Sequence, residues 1–320
     1  MKNLLLGMLA MAAMVSCSSE NDPIDDVTGG KQDKVEIKLN AGVGAITTKA
    51  TETTLATPPT IYLLRDDQTS PATPTWGTAT PSNYALGTDG SFTLGETQKY
   101  YDKDGKNSFF IGYTPQGVKD ASKAEVNYAS FDGESDILCS NQLDAGTKAD
   151  AASSHVLNFQ HMLSQVIVKV DGVAENVAST FGTIETISIM GVPNALTLTL
   201  GETPAIAKSG DGTTEYKVLD NAVANKTFDQ LVLDSKFVIP GLGTEASPLL
   251  LKVTTSKFKD ANAINVSITN ISTVVNTETK TGLLAGYKHT ITLTFKDNVT
   301  ISASIDAIKD GGEGSEDIGK

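Results

Sequence analysis

Apolar and polar residues alternate along most of this chain. Val35, Ile37, Leu39, Ala41 and Val43 interleave with Lys34, Glu36, Lys38, Asn40 and Gly42, the two-residue period of a strand with one buried face. "TIYLLRD", "FTLG", "QKYYDK", "SFFIGYT" and "HVLNF" follow as strand candidates, separated by Gly, Pro, Asn and Asp clusters that supply turns. The second half has longer candidates: "MLSQVIVKV", "TISIM", "ALTLTLG", "TEYKVLD", "QLVLD", "KFVIP", "LLLKVTT", "INVSI", "HTITLTF" and "VTISASIDA". Thr, Val and Ile dominate them, as a pleated, half-buried surface prefers. No stretch sustains a helical period, and no repeat of fixed length marks a solenoid. Short, regularly punctuated strands predict an all-β fold of antiparallel sandwiches with Greek-key connections. Residues 70–84, "SPATPTWGTATPSNY", read as a long surface loop.

One apolar run breaks the alternation. Leu4 to Val15 carries no charge, follows Lys2 and runs into Ser16 and Cys17. As a helix it spans roughly 18 Å, short of the roughly 30 Å hydrocarbon core of a bilayer. Residues 1–16 therefore predict an export signal rather than a membrane span. Met14-Val15-Ser16-Cys17 resembles a bacterial lipobox, which makes Cys17 the candidate lipidation site and the link to a membrane; a plain secretory signal with an incidental cysteine is the alternative. Residues 17–34 are polar and acidic, the composition of a disordered tether.

About 300 residues follow the leader, more than one sandwich core usually needs. Two sandwich domains are expected, over 35–159 and 160–307, with a flexible tail over 308–320. The net charge of −13 and a single arginine, Arg65, argue against a nucleic-acid partner. With Cys17 acylated, Cys139 has no partner and reads as a small buried hydrophobe.

His155, His161 and His289 are not spaced as a ligand pair, so neither a metal nor a cofactor is expected. No nucleophile elbow appears, nothing singles out a particular serine, and no enzymatic function is expected. "DKDGKNSF" places Asp102, Asp104 and Asn107 around Gly105, but its glycine is fourth where a calcium loop needs it sixth. The segment reads as a hairpin turn between "QKYY" and "SFFIGY".

The leader, the first alternating strand, "TTKAT", "SFFIGYTP", "NFQHMLSQVIVKV", "GYKHTITLTF" and "VTISASIDAIKDGG" together resemble the fimbrillin (Mfa-like) family of Bacteroidetes pilins. The most specific motif is F-x-H-x-L-S at Phe159, His161, Leu163 and Ser164. Many relatives carry tryptophan near the end, where this chain has Ala307-Ile308. The resemblance implies transthyretin-like sandwiches in a subunit of an adhesive cell-surface pilus. It also implies outer-membrane export as a lipoprotein, cutting by a trypsin-like protease after the first strand, and polymerisation with other pilin subunits through strand exchange.

On this chain the cut falls at Lys49-Ala50, in a Thr/Ala-rich segment between strand candidates, and Arg65 is a poorer target. The displaced strand carries Val35, Ile37, Leu39, Ala41 and Val43. Val299, Ile301, Ala303, Ile305 and Ala307 repeat its stripe and form the candidate donor strand. A rival reading is a monomeric surface lipoprotein that binds glycans, with Trp76 in its Pro-rich loop as a candidate ligand contact; the alternative for Trp76 is a loop anchor covering a sandwich end, since large aromatics are mostly buried.

Overall fold

The computed structural model describes residues 34–42, 58–69, 73–96, 98–151, 154–172, 176–220, 231–296 and 300–309. Its strands in chain order are β1 (Leu39–Ala41), β2 (Thr60–Gln68), β3 (Ser82–Ala85), β4 (Asn107–Thr114), β5 (Val118–Lys119), β6 (Glu125–Tyr128), β7 (Leu138–Ser140), β8 (Leu143–Asp144), β9 (His155–Leu157) and β10 (Phe159–His161). Then come β11 (Ser164–Gly172), β12 (Ile184–Pro193), β13 (Leu196–Thr199), β14 (Ala205–Lys208), β15 (Thr213–Leu219), β16 (Leu231–Val238), β17 (Thr244–Thr255), β18 (Ile264–Asn270), β19 (Ser272–Val275), β20 (Glu278–Thr281), β21 (Tyr287–Lys296) and β22 (Thr300–Lys309). The fold is all-β, as the alternation predicts.

The first sheet runs β10-β7-β4-β2-β3, with β8 also on β4. β4, "NSFFIGYT", is buried along nearly its whole length because both its faces are covered. Phe110 packs with Ile61, Leu63, Leu138 and Phe159, while Phe109, Ile111 and Tyr113 join a second, larger core. Gly112 lies on the Phe110 side, where a Cβ would come within 3.0 Å of Ile61 and Phe159. A side chain there would press on Ile61 and Phe159, which would have to give way.

The later strands form a β-sandwich. One sheet runs β16-β11-β21-β22 and the other β15-β12-β17-β18. Val166, Val168 and Val170 of β11 and Ile291, Leu293 and Phe295 of β21 share one core with Ile187, Ile189, Leu249, Leu251 and Val253 of the facing sheet. Each such burial contributes about 1.5–3 kcal/mol, so alternation is the sandwich's main source of stability. A further sheet, β14-β13-β6-β5, joins strands from both halves of the chain, and the large core runs from Leu64 to Phe295.

The structure departs from the sequence reading in several places. "QLVLD" and "KFVIP" form one strand, β16. β11 and β21 pair in parallel, from Gln165↔Lys288 to Gly172↔Phe295, as do β1 and β9. Neighbouring strands far apart in sequence are free of the antiparallel constraint that a tight hairpin imposes. "HVLNF" is two strands, since β9 turns to β1 and β10 to β7. "DKDGKNSF" is a turn, with Asp104 N donating to Asp102 Oδ1 at 2.8 Å, but no hairpin. Both edges of β4 are taken, by β2 on one side and β7 and β8 on the other, so "QKYY" turns to the first strand instead. Finally, Val177–Phe181 forms a short helix, α1, too brief for a periodicity scan. Its buried Val177 and Phe181 stand four residues apart, and Phe181 meets Phe295 edge-on at 5.0 Å.

Candidate functional site

Residues 35–42 lie in a groove with two backbone walls. On one side β1 pairs in parallel with β9, Leu39 opposite His155 and Ala41 opposite Leu157. His155 N donates to Lys38 O at 2.9 Å and Gly42 N to Leu157 O at 3.0 Å. The other wall is the irregular stretch from Leu86 to Tyr101. There Ile37 N donates to Lys99 O (2.7 Å), Ala41 N to Gly90 O (2.8 Å), Phe92 N to Leu39 O (3.1 Å) and Tyr101 N to Val35 O (3.0 Å).

The apolar side of the strand faces inward, as its period predicts. Ile37, Leu39 and Ala41 are buried with Leu86, Phe92, Leu94, Tyr101, Phe110, Leu138, Leu157 and Phe159, and Val35 packs against the same cluster half-buried. An open cleft of about 340 Å³ runs between Ile37 and Leu39 on one side and Ser91, Phe92 and Leu94 on the other. At the strand's start the Lys34 ammonium sits 4.9 Å over the Tyr100 ring, and Lys99 pairs with Glu36 at 3.6 Å. The Glu36 carboxylate holds Lys99 above the ordinary lysine range. Tyr101 Oη lies 3.0 Å from Ala145 O and 2.8 Å from His155 Nε2, bracing the two walls against each other.

Residues 47–307 match the family model described as fimbrillin-like. The chain belongs to the fimbrillin-like family. Its fold is shared with two solved structures, each described as a "putative cell adhesion protein". The one from Bacteroides uniformis ATCC 8492 is 17% identical, with a TM-score of 0.57, and the match covers 86% of this chain and 98% of that one. The one from Bacteroides ovatus ATCC 8483 is 15% identical, with a TM-score of 0.55, covering 87% and 98%. No curated protein matches the chain in sequence.

In this fimbrillin-like chain the candidate donor segment forms β22, at the end of its sheet. It pairs antiparallel with β21, Ile301 opposite Phe295, Ala303 opposite Leu293, Ile305 opposite Ile291 and Ala307 opposite His289. Ile301, Ala303 and Ile305 are half-buried against the large core. The two stripes are therefore not brought together: one packs in the first core and the other in the second. Cys17, Val43, Lys49, Ala50 and Val299 lie outside the described residues, as does the side chain of Ala307.

Trp76 is only 3% exposed, with Nε1 donating to Gln142 Oε1 at 2.9 Å. The indole anchors its loop in the large core and offers no open face to a sugar ring. Cys139 is fully buried, and burial pushes its thiol up to about 12, so it is un-ionised at neutral pH.

The F-x-H-x-L-S motif marks the step from the first sheet to the sandwich. Phe159 packs in the groove core, His161 Nδ1 bonds to Asp136 Oδ2, Leu163 packs in the large core, and Ser164 Oγ donates to Leu284 O at 2.6 Å. The sequence offered two strand candidates in the groove wall from Leu86 to Tyr101, "FTLG" and "QKYYDK"; both instead lie in irregular backbone joined to its neighbours by isolated bridges, Leu86–Phe92, Asn40–Ser91 and Glu36–Tyr100.

His289 is fully buried on β21, its Nε2 accepting from Leu284 N at 3.1 Å, and burial lowers its pKa to about 4. The unfolded chain, with a histidine near 6.5, binds the proton first as pH falls. Stability is therefore complete above about pH 6.5 and declines toward pH 4, by on the order of 2 kcal/mol from this group. Urea titrations at pH 7.5 and 4.5 should show a larger drop for the wild type than for His289→Gln. Equal drops would remove His289 as the cause.

Proposed function

We propose that the chain is a structural subunit of an adhesive cell-surface pilus, assembled with other pilin subunits by strand exchange. Export attaches a lipid at Cys17 and delivers the subunit to the outer membrane. A trypsin-like protease cuts between Lys49 and Ala50, the 35–46 strand leaves, and the 299–307 strand of a neighbour takes its place.

The observation that supports this reading best is how the first strand is held. It is the first strand among the described residues, with backbone partners on both sides and three buried side chains, and it leaves an open cleft beside it. Its removal would expose two rows of unpaired backbone groups above an apolar floor, which is the acceptor that strand addition needs. Family membership supports the pilus role.

Two arms of one experiment test the proposal. Membrane fractionation should find the full chain in the membrane and Cys17→Ala in the soluble fraction. Trypsin-treated protein lacking residues 1–17 should give subunit ladders on gels and filaments by electron microscopy. An unchanged Cys17→Ala distribution removes the anchor, and a cut protein that stays monomeric removes the polymer.

A further inference from the structure

Arg65 is the chain's only arginine, and it is not at the surface. Its side chain is 8% exposed on β2, and each nitrogen of its guanidinium has a hydrogen-bond partner. Nε donates to Asp67 Oδ1 (2.9 Å), Nη1 to Gln98 O (2.9 Å) and Nη2 to Ser108 Oγ (3.1 Å), while Ser108 Oγ in turn donates to Asp67 Oδ1 (2.7 Å). The guanidinium carbon lies 5.6 Å from the centre of the Phe110 ring, whose other neighbours form the groove core.

Gln98, also buried, is gripped at its other end. Its Nε2 donates to Ser82 Oγ and its Oε1 accepts from Tyr84 Oη, both at 3.0 Å. The residue after it, Lys99, supplies the carbonyl that accepts Ile37 N at 2.7 Å. The arginine thus fixes the peptide next to the one that receives the first strand.

We infer that Arg65, with Gln98, is a positioning residue that holds the irregular groove wall in its strand-accepting shape when no strand occupies the groove. The inference rests on the strand-exchange proposal. Neighbouring strands stiffen a regular wall, but this one lies outside the named strands and takes its shape from its own turns and, around Gln98, from side chains behind it. While β1 is bound, its own hydrogen bonds also hold the wall; once it has left, the Arg65 network carries that task. Lysine cannot replace arginine here, because a single ammonium does not span three acceptors set for a planar fork.

The experiment follows a labelled synthetic peptide of residues 34–46 exchanging into full-length mature protein already cut after Lys49. A preorganised wall raises the fraction of chains competent to bind, so its loss appears in the association rate. Arg65→Lys should lower that rate roughly tenfold, the equivalent of one charge-assisted hydrogen bond, with dissociation little changed. Gln98→Ala, which leaves the arginine in place and touches no side chain of the incoming strand, should act in the same direction.

Thermal melting of the uncut variants checks that both fold, and Gln98→Ala carries the test if Arg65→Lys does not. Equal association rates for wild type and variants, or a change confined to dissociation, would overturn the positioning role while leaving strand exchange standing. A wild-type protein that takes up no peptide would overturn strand exchange, and this inference with it.

Discussion

Lys49→Ala should leave the first strand joined to the body, and the protein monomeric, under conditions in which the wild type is converted to ladders. Between Ala41, the last residue of β1, and Thr60, the first of β2, Lys49 is the only Lys or Arg. A cut at Lys34 or Lys38 leaves β1 attached to the body. A cut at Arg65 would need a peptide bond inside β2, where Arg65 pairs with Phe110 of β4 and its side chain is engaged. Proteases act on backbone they can draw into an extended, accessible form, which a paired interior strand does not offer.

The effect of the cut follows from magnitudes. Burying Ile37 and Leu39 contributes about 1.5–3 kcal/mol each, and each backbone hydrogen bond adds only about 0.5–1.5 kcal/mol net. Attached to the body, the strand meets its groove at a high effective concentration. Once free, it must offset roughly 4–15 kcal/mol of lost translational and rotational freedom, which is comparable to everything it gains. The severed strand therefore exchanges, whereas the tethered one does not. Gel analysis and intact-mass measurement after trypsin treatment check this. Cleavage of the Lys49→Ala chain at Arg65, or ladders from uncut protein, would defeat it.

The parts of this molecule that the sequence displayed and the parts it hid differ in how their backbone is satisfied. Where a strand has one buried face, as in Val166, Val168 and Val170, the period of two is written directly into the residues. The stripe Ile37, Leu39, Ala41 was legible for the same reason, and all three are buried. β4 announced itself as a continuous apolar run because both faces are covered. The far wall of the groove was legible as two strand candidates but not as the loops it forms. The Gly90 carbonyl is presented by a local turn closed by Gly87 and Ser91, while the segment carrying the Lys99 carbonyl is held by Arg65 and Tyr101 through contacts tens of residues apart. Arg65 looked like a polar end to an apolar strand, and only its partners Gln98 and Ser108 give it a task. Trp76 was legible as a loop anchor because a large aromatic is mostly buried, but its partner Gln142, distant in sequence, was not.

Ile301→Asp with Ile305→Asp should abolish assembly of the cut protein while leaving the monomer folded. Both residues point toward the large core from β22, but they are half-buried and their strand is at the end of its sheet. The strands behind it, β16, β11 and β21, keep their own pairing. The monomer therefore loses stability but not its sandwich, and circular dichroism should retain the β signature. In a neighbour's groove, with the two stripes in step, the same side chains would take the places of Ile37 and Ala41, which are only 2% and 4% exposed. A carboxylate there, above Phe92, Phe110 and Leu157, finds no partner in the apolar cluster, and burying it costs several kcal/mol. Two such charges exceed what a single added strand contributes. Ser304→Asp separates the stripe from charge alone, because Ser304 lies on the exposed side of the same strand. That variant should form ladders like the wild type. Ladders from the double isoleucine variant would rule out β22 as the donor. Loss of ladders from Ser304→Asp as well would mean that the strand cannot tolerate negative charge on either face, and that alternate pockets are not what the groove recognises.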